Sequence, residues 1–298
     1  MGDKACEGIV ALITGSSQGG TGTALAQRLA AEGAAVALVA RDRKGLDETL
    51  AQVEAAGSVG IVLPMDLADP SGGRDTVVAR VEAELGPVDV VVNAAAGSVY
   101  KSFEKWTLRE LEHFQQLNVW APWLITQQAY LGMRERGRGW ILNYGSKAGE
   151  ILAGPPFSAH PPASAGSCYG ATKAALHRLT SSVAAEGHRY GIAANTLSPY
   201  SAVATRALVR AGWIADVLFE PLETMSEAGR FLCTADPTAV TGRIAYSLPL
   251  IIEYNLAVRD LTGDTLVPGW QPADLPAIMK AQDDYKHTWR FIPDTPEK

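Results

Sequence analysis

The sequence predicts a single doubly wound α/β domain on a parallel sheet, and three observations carry that expectation. From Gly8 to Leu85, short β-branched runs alternate with amphipathic stretches in the order β-α-β-α-β-α, as a parallel sheet with crossover helices requires. A glycine-rich turn, Gly15-Ser-Ser-Gln-Gly-Gly-Thr-Gly22, joins the first strand to the first helix. Val88–Asn93 is nearly all apolar, as a strand buried on both faces should be.

The first strand is expected at Ile9–Thr14, followed by a helix around Thr23–Ala31 that Gly33 stops. Ala35–Ala40 forms the second strand, a helix runs over Gly45–Ala56, and a third strand covers Gly60–Leu63. Asp69-Pro70 is expected as N-cap and first turn of the next helix. Beyond Val88–Asn93 the pattern predicts a long helix over Leu108–Arg136, bent at Pro122, then a strand at Trp140–Tyr144. A helix over Tyr169–Tyr190 and a strand at Ile192–Ser198 follow. Short helices around Thr205–Leu218 and Met225–Leu232 precede a strand near Arg243–Leu248. Residues 1–262 read as one domain carrying coenzyme and substrate sites. Residues 263–298, with several prolines, Trp270, Trp289 and little periodicity, read as a non-globular tail or arm over a neighbour or the site.

Composition narrows the function classes. The 298 residues are 47% hydrophobic and 19% charged, which suits a compact fold and excludes bulk disorder. With 26 Lys+Arg against 32 Asp+Glu the net charge is −6, so no global basic field exists to hold a nucleic acid or an anionic membrane. Cys6, Cys168 and Cys233 are too widely spaced for a disulfide framework or zinc knuckle. No metal site is expected. The acidic N-terminus is not a secretory signal, and no apolar run approaches the ~18 residues of a membrane span. The expectation is a soluble cytoplasmic protein.

A strand-to-helix turn rich in glycine can bring backbone N–H groups to a pyrophosphate at the positive helix end, although glycines also serve such turns for backbone freedom alone. Tyr169-Gly-Ala-Thr-Lys173 places a phenol and an ammonium on one helix face, one turn apart. A free phenol titrates near ~10, and a fixed cation beside it favours the phenolate.

Taken together, Thr14-Gly15-x-x-x-Gly19 with Gly22, then Asn93-Ala-Ala-Ala-Gly97, then Ser146, and finally Tyr169-x-x-x-Lys173 resemble the motifs of the short-chain dehydrogenase/reductase (SDR) family in order. The resemblance covers roughly Ile9 to Thr205 and implies a Rossmann fold. It implies a coenzyme site at Gly15, Ser17, Gln18, Gly19, Thr21, Gly22, Arg41, Asp66, Leu67, Asn93, Ala94, Ala95, Gly97, Tyr169, Lys173, Pro199 and Thr205. Asp66 would meet the adenine, Lys173 the nicotinamide ribose and Thr205 the carboxamide. The implied catalytic residues are Asn118, Ser146, Tyr169 and Lys173: Tyr169 exchanges a proton with the substrate oxygen, Ser146 stabilises its charge, and Asn118 holds a water linking the lysine to solvent. Outside that resemblance, Asp66 and Ser146 would pass for turn residues at strand ends.

An acid ending the second strand would accept the ribose hydroxyls of NAD; here Ala40 is followed by Arg41, which suits the 2′-phosphate of NADP. Asp42 leaves room for a pairing with Arg41 or an approach to the ribose. NADP is the expected cofactor, ahead of NAD.

Three departures from the family pattern bear on function. The glycine turn is one residue longer, through Gly20-Thr21. Ser146 and Tyr169 stand 23 positions apart, and the added segment within 150–168 carries Ile151, Leu152, Phe157 and His160. This segment would form an apolar wall beside the substrate or a subunit contact; His160 reads as a polar surface residue. Pro199 is followed by Tyr200 where the family has glycine. Trp213 and Phe219 would line a substrate lid or pack short helices.

The expected function is interconversion of a lipophilic ketone and a secondary alcohol. The alternatives are a non-catalytic nucleotide-binding sensor or scaffold, and a 3-oxoacyl thioester reductase. The partner is a small molecule, and the family habit of pairing the long helices predicts a homo-oligomer, dimer or tetramer.

Overall fold

In a computed structural model, residues 4–17, 19–155, 157, 166–212 and 214–288 are described. Seven strands form a parallel sheet in the order β3-β2-β1-β4-β5-β6-β9, with β1 at Val10–Thr14, β2 at Ala35–Ala40, β3 at Gly60–Pro64, β4 at Val90–Asn93, β5 at Gly139–Tyr144, β6 at Ile192–Ser198 and β9 at Ile244–Tyr246. Chain order reverses on either side of β1, so β1 and β4 meet at a switch point, where a crevice opens beyond the strand carboxyl ends.

The period of two along each strand distributes its side chains to two cores. Ala11 and Ile13 of β1 and Val90 and Val92 of β4 join Leu25 and Leu29 of α1 (Thr21–Ala31) and Leu46 and Val53 of α2 (Arg43–Ala55). Val10, Leu12 and Val91 face the other way, against Val77 and Val81 of α3 (Val77–Leu85). Both faces of β4 are therefore dry, which explains its apolar sequence.

Two expectations about helices change. Asp69 does not cap a helix: its carboxylate accepts from Ser71 N at 2.8 Å and Ser71 Oγ at 2.7 Å, closing a turn, and α3 starts only at Val77. The long helix over 108–136 divides into α4 (Leu108–Gln115), a π-helical turn at Gln116–Trp120, and α5 (Ala121–Arg136). Pro122 lies in the first turn of α5. It offers no N–H to the carbonyl four residues back, so the hydrogen-bond ladder shifts register just before it.

Downstream come α6 (Ser167–Gly187), the short strands β7 (Ala202–Val203) and β8 (Phe219–Glu220), α7 (Arg206–Ala211), α8 (Leu222–Leu232) and α9 (Ser247–Glu253). The expected strand near Arg243–Leu248 is only three residues long, and α9 begins at Ser247. The tail holds a helix, α10 (Leu275–Thr288): Leu275 is fully buried, and Ile278 and Met279 pack on the core shared by α1 and α8. Pro268 and Pro272 precede this helix, and Pro276 lies in its first turn, where the missing N–H costs nothing. Trp289 lies outside the described residues, as do Gln18, His160 and Trp213.

Candidate active site

The glycine turn leaves β1 at Thr14, whose hydroxyl accepts from Ala94 N and Ala95 N, both at 3.1 Å, and donates to Val92 O at 3.3 Å. One side chain thereby stitches the turn to the segment after β4. Gly15 has φ +68°, and a Cβ there would lie 2.6 Å from Ala95 N. A Cβ on Gly22 would lie 2.5 Å from Gly15 O. Only glycine permits this close folding of backbone on backbone, and it leaves a cradle open to a nucleotide's phosphates. The cradle fits the expected coenzyme.

The flanking residues take up separate positions. Arg41 stands exposed just past β2, and Asp66 is exposed past β3 beside buried Leu67. Asp66 also closes a local turn, accepting from Ala68 N at 3.0 Å. Asn93 Nδ2 donates to Asn143 Oδ1 at 2.8 Å and Thr126 Oγ1 at 3.2 Å, inside the sheet's polar end, and its Oδ1 accepts no hydrogen bond among the described residues. Thr205 caps α7, accepting from Leu208 N at 3.3 Å.

At the carboxyl end of β5, Ser146 Oγ accepts from Ala148 N at 3.2 Å and hydrogen-bonds the Tyr169 side chain on α6. The two elements touch because Gly170 lacks a side chain: a Cβ there would meet Ala148 O at 2.6 Å. Burial pushes the Tyr169 phenol up from its ordinary range, opposed by the bond to Ser146. Lys173, one turn on, is buried; its Nζ lies 5.7 Å from the Tyr169 ring centroid and donates to Tyr144 O at 2.6 Å. Burial pulls this ammonium down to about 8.

Asn118 sits in the π turn, fully buried. Its Oδ1 accepts from Gly97 N and its Nδ2 donates to Gly97 O, both at 2.9 Å; Nδ2 also donates to Thr172 Oγ1 at 3.1 Å. Thr172 Oγ1 donates to Tyr169 O at 2.8 Å. Asn118 therefore ties the segment after β4 to the helix that carries Tyr169 and Lys173.

Several participants left no clear mark in the sequence. Tyr100 lies edge-on to Tyr169 with ring centroids 5.9 Å apart. Glu220, fully buried and pushed up by that burial, accepts from Tyr200 N at 2.8 Å, Ser247 Oγ at 2.6 Å and Thr224 Oγ1 at 2.7 Å, fixing the chain after Pro199. Tyr200, anomalous in the sequence, donates its hydroxyl to Asp283 of α10 at 2.5 Å, while Lys286 Nζ lies 4.7 Å from its ring. The bulky residue after Pro199 thus anchors the C-terminal helix. Among the described residues, no group of three or more His, Cys, Asp or Glu is placed to hold a metal. No helix among them is long and apolar enough to cross a membrane.

Residues 9–211 match the short chain dehydrogenase family. The chain is 30% identical over 237 residues to a gluconate 5-dehydrogenase of Gluconobacter oxydans, covering 80% of this chain and 83% of that one. Among solved structures, an NADP-bound 3-oxoacyl (acyl-carrier-protein) reductase of Agrobacterium tumefaciens superposes with TM-score 0.70 at 28% identity, over 82% of this chain and 94% of that one. L-sorbose reductase of Gluconobacter frateurii, complexed with NADPH and L-sorbose, gives 0.72 at 26% identity, over 82% and 97%. With the family's motifs standing at the carboxyl edge of its parallel sheet, this chain belongs to the short-chain dehydrogenase/reductase family.

Proposed function

We propose that the protein is an NADP(H)-dependent oxidoreductase interconverting a lipophilic ketone and a secondary alcohol, with Tyr169 as general acid and base. The observation that carries this reading is the meeting of Ser146, Tyr169 and Lys173 at the sheet edge that also bears the glycine cradle. The coenzyme supplies the hydride that reaches the carbonyl carbon. Tyr169 Oη, a phenol that is protonated at neutral pH, gives its proton to the carbonyl oxygen. Ser146 Oγ donates to the same oxygen as charge develops. Lys173 holds a positive charge near the phenolate left behind. In oxidation the proton returns from the alcohol to Tyr169.

Ile151 is 97% and Phe157 63% exposed in the segment after β5, which supports an apolar substrate wall. A 3-oxoacyl thioester is the second reading, favoured by the likeness to the 3-oxoacyl reductase. A coenzyme-binding sensor would bind nucleotide tightly and reduce nothing. Incubating the protein with NADPH and a panel of lipophilic ketones, 3-oxoacyl thioesters and sugar ketones tests the reading. Consumption of NADPH with lipophilic ketones supports it, and consumption with none of the panel contradicts it. Exposed Trp120 and Trp123, beside Val119 and Leu179 on the α5–α6 face, support a homo-oligomer.

Arg41→Ala is expected to weaken NADPH binding by about tenfold while leaving NADH within about twofold, since a charge-assisted bond to the 2′-phosphate is lost. Equal losses for both would show that Arg41 does not read that phosphate. The pH dependence follows from Lys173. As pH rises through about 8 its ammonium loses a proton, removing the charge that favours phenolate, so kcat/KM for reduction falls above that point. A profile flat to about pH 10, where an ordinary lysine titrates, would contradict the assignment.

A further inference from the structure

We infer that Arg206 binds the diphosphate of the coenzyme, closing the cleft over the glycine turn from the side of α7. The inference rests on the coenzyme reading above and adds to it a residue outside the family's motifs. From Thr14 to Gln27 the turn and its helix contain no Lys or Arg. The next cation, Arg28, is consumed in a buried pair with Glu227 at 2.7 Å. A diphosphate seated on this turn would meet backbone N–H groups and the helix end, which supply only partial positive charge.

Arg206 brings the full charge. Its Nε and Nη2 lie 3.5 Å, and its Cζ 3.6 Å, from where a Cβ on Gly19 would stand, so the guanidinium rests against the tip of the turn. The absent side chain at 19 is the space it uses. Gly19, Gly20, Thr23, Ala204 and Arg206 line one cleft of about 570 Å³. Arg206 follows Thr205 directly, so the segment after β6 reaches back to the turn and the two walls of the cleft converge. Its carboxylate partner is loose: Glu48 Oε2 stands 3.9 Å away with both side chains half exposed or more. Such a pair contributes little, and a diphosphate would displace it through the planar fork of the guanidinium. Arg41, past β2 at the adenosine end, is a separate site.

Calorimetric titrations of the full chain with NADPH and with adenosine 2′-monophosphate, which lacks the diphosphate, test the inference in wild type, Arg206→Ala and Arg206→Lys. Arg206→Ala should weaken NADPH by about tenfold, as the loss of one charge-assisted contact does, and leave adenosine 2′-monophosphate within about twofold. Arg206→Lys should fall between. Unchanged NADPH binding in Arg206→Ala, or equal losses for both ligands, overturns the role of Arg206 while the coenzyme reading stands. A wild type preferring NADH overturns the NADP reading alone, and the comparison then runs on NADH against adenosine with the same expected split. A wild type that binds neither coenzyme overturns both.

Discussion

Tyr169→Phe is expected to lower turnover by about three orders of magnitude or more, the range for removal of a positioned acid, while coenzyme affinity stays within about twofold. The substitution removes one oxygen. The ring remains edge-on to Tyr100, and the helix remains tied through Thr172 and Asn118. What disappears is the proton held beside Ser146, without which a carbonyl that accepts hydride develops an unrelieved alkoxide. Turnover on an accepted ketone, measured with coenzyme binding on the same preparations, checks this. Near wild-type turnover in the variant would remove Tyr169 from the chemistry, and loss of coenzyme binding would make it a structural residue.

Gly22→Ala is expected to disable coenzyme binding by about two orders of magnitude and to destabilise the fold by about 2–3 kcal/mol, the upper part of the range for overpacking. The new Cβ would lie 2.5 Å from Gly15 O and 3.2 Å from Thr14 O. Both contacts are backbone, so no flexible side chain can turn aside. Either α1 slides outward, opening its packing on β1, or the turn flattens and Gly15 loses its approach to Ala95. Each response dismantles the cradle. Thermal unfolding and NADPH titration on one sample separate the two effects. A variant of unchanged stability and affinity would mean the turn has slack the structure does not show.

The centre of the sheet was legible in the sequence because β1, β4 and β6 are buried along their whole length, so apolar runs stand out from the periodic helical stretches between them, whereas the short, partly exposed edge strand β9 was not bounded correctly. Thr14, Asn93, Ser146, Tyr169 and Lys173 were legible as spaced motifs. What they do individually was less so. Asn93 stands out in sequence as a motif residue, but that its Nδ2 donates to Asn143 and Thr126 is a matter of tertiary packing. Asn118 was recognisable by its neighbours, but the π turn that aims it comes from a proline in the following helix, a coupling that helix periodicity does not encode. Glu220, Asp283 and Arg206 act at the site from positions far along the chain or without motif. Only tertiary packing brings Asp283 to Tyr200 and Arg206 to Gly19.

The most direct measurement is a titration of the purified protein with NADPH and, separately, NADH, followed by nicotinamide fluorescence. Saturable binding of both is expected, with NADPH preferred by about tenfold, the difference one charge-assisted phosphate contact makes. Preference for NADH would contradict the role given to Arg41, and binding of neither would contradict the coenzyme site itself.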